Sequence, residues 1–384
     1  MRPRIALMTI FQVPNYGSVL QAYATQTVIT KLGYDCDLIN YNYPNDWHYR
    51  HGFLKQPIWR KIIKNIANIS GLHKQVLANS IQIFRKKYLN LTHSFPDLDS
   101  LKNNDWTRYS ALVAGSDQLW NPIYLKGDSA FMLSFSNKLP KISIASSFAV
   151  TEIAENLLSK YKENLTTFSA ISIREQNGAK IIESQLSLKI HPKVLLDPTL
   201  LLSDSEWYDS LKISADAPKE RYILMYILSY AFNPYPDAVE IARELKYKYQ
   251  CSKIITFSPN NSPEVNELGA ESIYGCPVED FLYYIRHAYI IVTSSFHGTA
   301  FALNFGRPLI SITPSNGDDR QTTLLRMLNL EQCGAIVGTD HALLTPMYDV
   351  ADEQRKLNEI RNDDISWISY SLKTAINSNQ TCNS

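Results

Sequence analysis

Short apolar runs, each followed by a polar loop and then by helical periodicity, recur along this chain of 384 residues. The first run is 4–11 (RIALMTIF), and apolar residues at helical spacing follow over 18–32, before Gly33 ends the helix as a C′ glycine would. The next strand-like run is 36–41 (CDLINY). Strand, loop, helix and strand in this order form a βαβ unit, which predicts a parallel sheet with right-handed crossovers.

The same alternation continues in two sets. Further strand-like runs lie at 111–114, 142–146, 170–173 and 194–196, and a second set lies at 222–228, 253–257, 290–293 and 309–312. We therefore predict an α/β fold of two Rossmann-like domains with parallel sheets, at residues 1–203 and 204–350, joined through a connection at 203–219. A helix over about 351–377 and a polar tail end the chain at 384, and in two-Rossmann architectures such a helix often crosses back onto the first domain.

Bulk composition excludes several classes of protein. The formal net charge is +1, so no strong overall field draws the chain to nucleic acid or anionic lipid. The cysteine count of 5 is odd, and no Cys/His cluster has metal-binding spacing. With no signal-peptide pattern and no long apolar stretch, these features predict a cytoplasmic protein without a bound metal. Basic helical stretches at 59–69 and 76–88 leave open a loose membrane contact, through a lipid-linked substrate.

Ligands of open parallel sheets bind beyond the carboxyl ends of the strands, so the strand-to-helix junctions are the places to look for chemistry. At the first junction, Gly17 allows a ligand to approach the backbone closely. Asn15 and Tyr16, which precede it, carry groups that suit sugar hydroxyls. A plain N-cap and turn explains the same residues. The junction GSDQLWN (115–121) joins a candidate base, Asp117, to three sugar-binding candidates, and a helix cap with a core tryptophan is the alternative. Those three are Gln118, Trp120 and Asn121.

Three later junctions carry groups that suit an anionic ligand. Arg174 directly follows a strand-like run, where a guanidinium is placed for phosphate or carboxylate, or for a structural salt bridge. His297 begins a helix, whose dipole keeps a free imidazole neutral, while a bound dianion would load the ring with a proton. A satisfied structural histidine is the alternative. The remaining candidates are Ser294, Ser295, Gly298 and Thr299, which surround His297, and Arg320 after the run at 309–312.

Taken together, NYGSVLQAYA, GSDQLWN, SIRE, LLDPTLLL and TSSFHGTAFALNFGRPLI resemble the polysaccharide pyruvyl transferase family, in family order over roughly residues 4–330. The resemblance implies a GT-B-like pair of domains facing a cleft, with residues 1–203 on the acceptor side and 204–350 on the donor side. It also implies phosphoenolpyruvate as donor, and a sugar of a cell-surface glycan or lipid-linked oligosaccharide as acceptor. No cofactor is implied.

The resemblance assigns roles to individual residues. Arg174 falls where family members place an arginine for the donor's anionic groups, and His297 falls where they place a histidine beside the donor. Family members often carry an arginine two residues before that histidine, where this chain has Ser295, so Arg320 is a candidate replacement. The implied product is a pyruvate ketal, with His297 as the acid and Asp117 as the base.

Two other classes stay open at the level of sequence. A GT-B-like glycosyltransferase that uses a nucleotide sugar needs a carboxylate for the ribose in its second domain, and Glu279 or Asp280 could supply it. A non-catalytic sugar-binding relative needs no donor site. Ser295, in place of the arginine that family members often carry, is the feature that suggests such a relative.

Overall fold

Two parallel sheets organise the fold in a computed structural model that describes residues 2–42, 69–214, 216, 218–315, 320–341 and 344–383, with backbone alone for 69–74 and 380–383. Nearly all of the predicted basic helix at 59–69 lies outside the described residues. The predicted α/β class with two parallel sheets is confirmed. The domain boundaries stay predictions, and the stretch 203–219 contains a helix as well as a connection.

The first sheet has the strand order β3-β2-β1-β4-β5, and all its pairings are parallel. Two isolated parallel bridges, Ile142 with Ala170 and Ser146 with Ile173, connect the β5 segment to the segment of a further parallel pair, β6 and β7. The strands are β1 Arg4–Met8, β2 Asp35–Tyr41, β3 Leu91–Phe95, β4 Ala111–Ala114, β5 Lys141–Ser143, β6 Ser172–Ile173 and β7 Lys193–Val194. The α-helices of this half are α1 Tyr16–Lys31, α2 Ile69–Tyr88, α3 Leu98–Lys102, α4 Pro122–Leu125, α5 Glu155–Leu165, α6 Gln176–Lys180 and α7 Pro198–Leu201.

The second sheet has the strand order β10-β9-β8-β11-β12-β13, again with parallel pairings throughout. Its strands are β8 Tyr222–Tyr226, β9 Lys253–Thr256, β10 Glu271–Ser272, β11 Ile290–Thr293, β12 Leu309–Thr313 and β13 Gly334–Ile336. The α-helices of this half are α8 Asp204–Leu211, α9 Asp237–Lys248, α10 Pro263–Leu268, α11 Val278–His287, α12 Phe296–Asn304 and α13 Arg320–Met327, followed by the terminal α14 Val350–Asn383. The central strands β4, β8, β11 and β12 are buried throughout, as expected for parallel strands covered on both faces.

One apolar cluster spans both halves of the chain and includes side chains of α1, α11, α12 and α14. At its centre the ring of Tyr16 stacks on Phe281, with 4.4 Å between the ring centroids. The Tyr16 hydroxyl donates a hydrogen bond to the Cys276 carbonyl at 2.8 Å. The two sheets are therefore held together through a shared core, which fixes the position of α1 against α11 and α12.

The terminal helix α14 contacts both halves. Asp364 accepts a hydrogen bond from the backbone of Leu196 at 2.8 Å, and Gln354 donates one to the Leu303 carbonyl at 2.7 Å. The buried Arg361 donates to the Leu200 carbonyl at 2.6 Å and to Oδ1 of Asn304 at 3.0 Å. Among the described residues, no helix has the length and apolar character needed to cross a membrane.

Arg361→Ala should destabilise the protein by several kcal/mol, because it leaves the buried Asn304 amide oxygen and the Leu200 carbonyl without their hydrogen-bond donor. Each unpaired buried group costs about 1–3 kcal/mol. The free energy of unfolding in urea measures the effect. Arg355→Ala is the matched control on the same helix, since Arg355 is 57% exposed and its ion pairs at the surface contribute about 0–1 kcal/mol. Equal losses for the two variants would contradict a bracing role for Arg361.

Candidate active site

The carboxyl ends of strands from both halves face one cleft, with a cavity volume of about 150 Å³. That volume has room for on the order of ten water molecules, which suits a small anionic molecule and the tip of a larger one. The first half contributes Ile10, Val13, Asn15, Ser18, Asp117, Gln118, Tyr124 and Leu125, and the second contributes Leu228, Tyr230, Ala231, Phe232, Ser294, Ser295, Phe296, His297, Arg320 and Gln321.

His297 lies in the first turn of α12 and is 7% exposed. Ser295 caps this helix, because its hydroxyl accepts a hydrogen bond from the backbone of Gly298 at 3.3 Å. The imidazole packs directly on Gly17 of α1: a Cβ at Gly17 would come within 2.1 Å of His297 Nδ1. Glycine at position 17 therefore makes room for the histidine, and the two predicted site residues meet across the halves.

Burial lowers the pKa of His297, and Arg174 and Arg320 lower it further, while Asp197 and Asp117 raise it. The net shift is downward, so the ring is neutral near pH 7. Its Nε2 has no hydrogen-bond partner and lies 3.8 Å from Oδ2 of Asp197. A neutral, buried imidazole at the base of the cleft can take up a proton when a bound anion offsets the two arginines.

Arg174 forms a buried ion pair with Asp197. Its Nη1 donates to Asp197 Oδ2 at 2.7 Å, and the two side chains are 1% and 0% exposed. The guanidinium lies over the ring of Phe296, 4.2 Å from the centroid, and its Nε and Nη2 have no hydrogen-bond partner. Burial by itself would raise the pKa of Asp197, but His297 when charged, together with Arg174, holds it at about 2. Two unpartnered donors on a fixed guanidinium suit a phosphate or a carboxylate.

Asp117 lines the same cleft from the first half. Its φ of 74° places the backbone in the left-handed region, which is uncommon for a residue other than glycine. Its Oδ2 accepts a hydrogen bond from the Ser18 hydroxyl at 2.6 Å, and its Oδ1 accepts one from the backbone of Gln118 at 2.8 Å. The carboxylate is thus held in a defined orientation toward the cleft, as a base for a hydroxyl group would need to be.

The other donor-side candidates divide into two groups. Arg320 and Ser295 line the cleft, and so does Ser294, whose hydroxyl exchanges two hydrogen bonds with the backbone of Leu228, at 2.7 and 2.9 Å. Thr299 is wholly buried, and its hydroxyl is paired with Ser311 at 2.7 Å, so the predicted contact of Thr299 with the donor conflicts with its position. Gly298 does not line the cleft either, and its backbone N–H donates to the Ser295 hydroxyl at 3.3 Å.

Four of the predicted acceptor residues do not line the cleft, and one of them is Gly17, which packs on His297. Trp120 is fully buried, and its indole N–H donates to the Phe131 carbonyl at 3.1 Å, so it is the core tryptophan of the alternative interpretation. Tyr16 is committed to the core between the halves. Asn121 caps α4, where its oxygen accepts from the backbone of Ile123 at 2.8 Å. Asn15 caps α1 through Ser18 and, like Gln118, also borders the cleft.

Sequence reasoning missed two residues of the site. Asp197 appeared only within the motif LLDPTLLL, although it directly follows the apolar run at 194–196 and the rule of strand carboxyl ends applied to it. Ser18, which holds Asp117, appeared only as part of a helix start. The aromatic rings that do border the cleft are Tyr124, Tyr230 and Phe232, together with Phe296 under Arg174. Tyr230 is 52% exposed, so it offers a face to a ligand that the buried Trp120 cannot.

Comparison with known proteins gives one family and one fold. Residues 15–316 match the family described as polysaccharide pyruvyl transferase. Among curated proteins none matches this chain significantly. Solved structures with a similar fold include S. aureus MnaA with UDP (10% identity, TM-score 0.51, 94% of this chain and 96% of that chain). Another is a putative UDP-N-acetylglucosamine 2-epimerase from Listeria monocytogenes (11% identity, TM-score 0.53, 94% and 91%). These likenesses confirm the predicted GT-B-like architecture and, at such low identity, nothing further.

Proposed function

Because this chain belongs to the polysaccharide pyruvyl transferase family, we propose that it moves the pyruvyl group of phosphoenolpyruvate onto a sugar, forming a pyruvate ketal. The acceptor is a sugar of a cell-surface polysaccharide or of its lipid-linked precursor. The observation that carries the proposal is the meeting of His297, Asp117 and Arg320 at one cleft, with the buried Arg174 packed against Phe296, which also lines it. We further propose a cytoplasmic location, at the inner face of the membrane when the acceptor is lipid-linked.

The donor side supports a dianionic ligand. Arg320 lines the cleft, and the buried Arg174, which is not a lining residue, has two unpartnered nitrogens and packs against the lining ring of Phe296. The N-terminus of α12 adds backbone N–H groups and a favourable dipole for the phosphate. A phosphate bound there would raise the pKa of His297 by opposing the two arginines. The histidine would then be protonated when the donor is present, and neutral when it is absent.

In the proposed reaction the protonated imidazole of His297 gives its proton to the methylene carbon of phosphoenolpyruvate. Positive charge develops at the carbon that bears the phosphate, and a sugar hydroxyl attacks that carbon. Phosphate leaves with cleavage of its C–O bond, and a second hydroxyl of the same sugar forms the second C–O bond of the ketal. Of the two hydroxyl protons, one restores His297 and the other leaves with phosphate. Asp117 is the base for the attacking hydroxyl.

The acceptor side is proposed at the mouth of the cleft. Gln118 and Asn15 offer amide groups there, and Tyr230 and Tyr124 offer aromatic faces on which a sugar ring can pack. The carboxylate considered for a ribose, Glu279, is engaged elsewhere, since it accepts hydrogen bonds from Lys87 at 3.2 Å and from Tyr88 at 3.1 Å. Neither Glu279 nor the alternative carboxylate, Asp280, lines the cleft, which favours a pyruvyl donor over a nucleotide sugar.

Binding of phosphoenolpyruvate tests the proposal, and Arg320→Ala should weaken it about 10- to 100-fold, because a charge-assisted hydrogen bond contributes about 1.5–3 kcal/mol. Isothermal titration calorimetry measures the affinity. Thermal shift supports it, since ligand at 100 times its Kd adds about 2.7 kcal/mol of stability. Arg326→Ala is the matched control, an exposed arginine on the same helix α13. Arg174→Ala is less suitable, because it leaves the buried charge of Asp197 unpaired.

The outcomes separate the three classes of function. Binding of phosphoenolpyruvate that Arg320→Ala weakens and Arg326→Ala does not would support the pyruvyl donor. Binding of UDP-N-acetylglucosamine in its place would favour a glycosyltransferase. A glycan that binds while neither donor does would indicate a sugar-binding protein without transfer activity, and would contradict the proposal.

A further inference from the structure

The carboxylate of Asp197 is wholly buried where the first half meets α12 of the second. Its Oδ1 accepts hydrogen bonds from the backbone of Thr199 at 3.0 Å and from the Thr199 hydroxyl at 2.7 Å. Its Oδ2 accepts hydrogen bonds from Ser116 and from Arg174, both at 2.7 Å, and lies 3.8 Å from Nε2 of His297. One side chain thus joins the proposed acid to the proposed anion-binding arginine.

We propose that Asp197 is a positioning residue for pyruvyl transfer, in which Oδ2 fixes the Arg174 guanidinium against Phe296 and balances the charge of His297 once that ring is protonated. This inference rests on the proposed function and adds to it a residue that does not line the cleft. Asp197 acts through Arg174 and His297, and it is not expected to touch the donor.

The two oxygens of Asp197 have separable roles. Oδ1 caps the short helix α7, which a neutral asparagine or serine does about as well as an aspartate. A buried carboxylate is costly unless its charge is paired, so the cap alone does not account for an acid at this position. Oδ2 faces a guanidinium and an imidazole, and at that oxygen the negative charge has a partner.

The charges around His297 show what Asp197 contributes. Arg174 and Arg320 face the ring with positive charge, while Asp197 and Asp117 face it with negative charge. The buried Glu175 neighbours both arginines. Without the charge of Asp197, a protonated ring would meet two guanidiniums with Asp117 as its counter-charge. Removing that charge should therefore lower the pKa of His297. It should also release the Arg174 guanidinium from its position against the Phe296 ring.

Asp197→Asn is the decisive variant, because asparagine keeps the cap and the shape of the side chain and removes the charge. In the ligand-free protein we expect the pKa of His297, followed by NMR and assigned with His297→Ala, to fall below the wild-type value. The Kd for phosphoenolpyruvate at pH 7 should rise about 10- to 100-fold. Proton uptake on binding, measured calorimetrically in buffers of different ionisation enthalpy, should fall toward zero.

Asp364→Asn is the matched control. Asp364 is a buried carboxyl group that accepts a hydrogen bond from Leu196, and it is not among the charges that chiefly shift the pKa of His297. This variant should leave the pKa of His297 unchanged. A folded Asp197→Asn protein with a wild-type Kd and a wild-type His297 pKa would overturn the inference.

A second variant keeps the inference open to refutation if Asp197→Asn does not fold. Ser116→Ala removes one hydrogen bond from Oδ2 and keeps the charge, so the pKa of His297 should rise; an unchanged pKa would also overturn the inference. The NMR titration needs no donor. Failure of the wild type to bind phosphoenolpyruvate would therefore contradict the proposed function. The NMR titration would still decide whether Asp197 raises the pKa of His297.

Discussion

His297→Ala should lower turnover by about 10²–10⁴-fold while leaving the fold intact, because general acid catalysis contributes a factor of that size. The assay is release of inorganic phosphate from phosphoenolpyruvate in the presence of a panel of sugar acceptors. The imidazole lies at the base of the cleft and is the proposed source of the proton for the methylene carbon. Binding of the donor should survive better than turnover, since the arginines remain.

The matched control is His191→Ala, because the His191 side chain is 94% exposed and lies away from the cleft. It should turn over like the wild type. Circular dichroism and thermal melting must show that His297→Ala is folded before its activity is interpreted. Wild-type turnover by folded His297→Ala would remove this residue from the mechanism.

Gly17→Ala should be nearly as damaging, although it adds a single methyl group. The new Cβ would lie 2.1 Å from His297 Nδ1, so either the ring or helix α1 must move. Overpacking of this kind costs about 1–3 kcal/mol in stability. Displacement of the ring by an ångström or so can cost about 10²-fold in rate. Urea denaturation and the phosphate-release assay measure the two effects.

A double-mutant cycle identifies the cause of that damage. In a His297→Ala background the clash has no partner, so Gly17→Ala should then cost little stability. If the cost is the same in both backgrounds, the loss comes from the backbone of α1, and the proposed contact across the halves is wrong.

The strand and helix pattern of the central elements was predictable because buried parallel strands form continuous apolar runs. The runs at 111–114 and 290–293 coincide with β4 and β11. The strands that escaped prediction, β3, β10 and β13, are at sheet edges: β3 (LTHSF) has three polar residues between its apolar ends, and β10 and β13 have two and three residues. Edge strands gain less from burial, so their sequences carry a weaker apolar signal.

The site was predictable in position and less so in the direction of its side chains. The carboxyl-end rule placed Asp117, Arg174 and His297 around one cleft. Asp117 and His297 do line it, while Arg174 lies buried against Phe296, which lines it. The rule could not distinguish Asp117 from Trp120, three residues away on the same loop. Asp117 has a φ of 74°, and a residue in the left-handed region changes the direction of the chain that follows. Because position 117 is not a glycine, the sequence gives no sign of this turn. That turn takes the indole into the core.

The contact between Gly17 and His297 also limits how the two halves can be exchanged between family members. Each half supplies one of the two surfaces, so neither half can be replaced without regard to the other. A chimera that takes everything after residue 203 from a relative would keep the proposed acid in place only if the histidine of the incoming helix packs on this glycine. Recombination within the family is thus constrained at a pair of positions 280 apart in the chain, numbers 17 and 297.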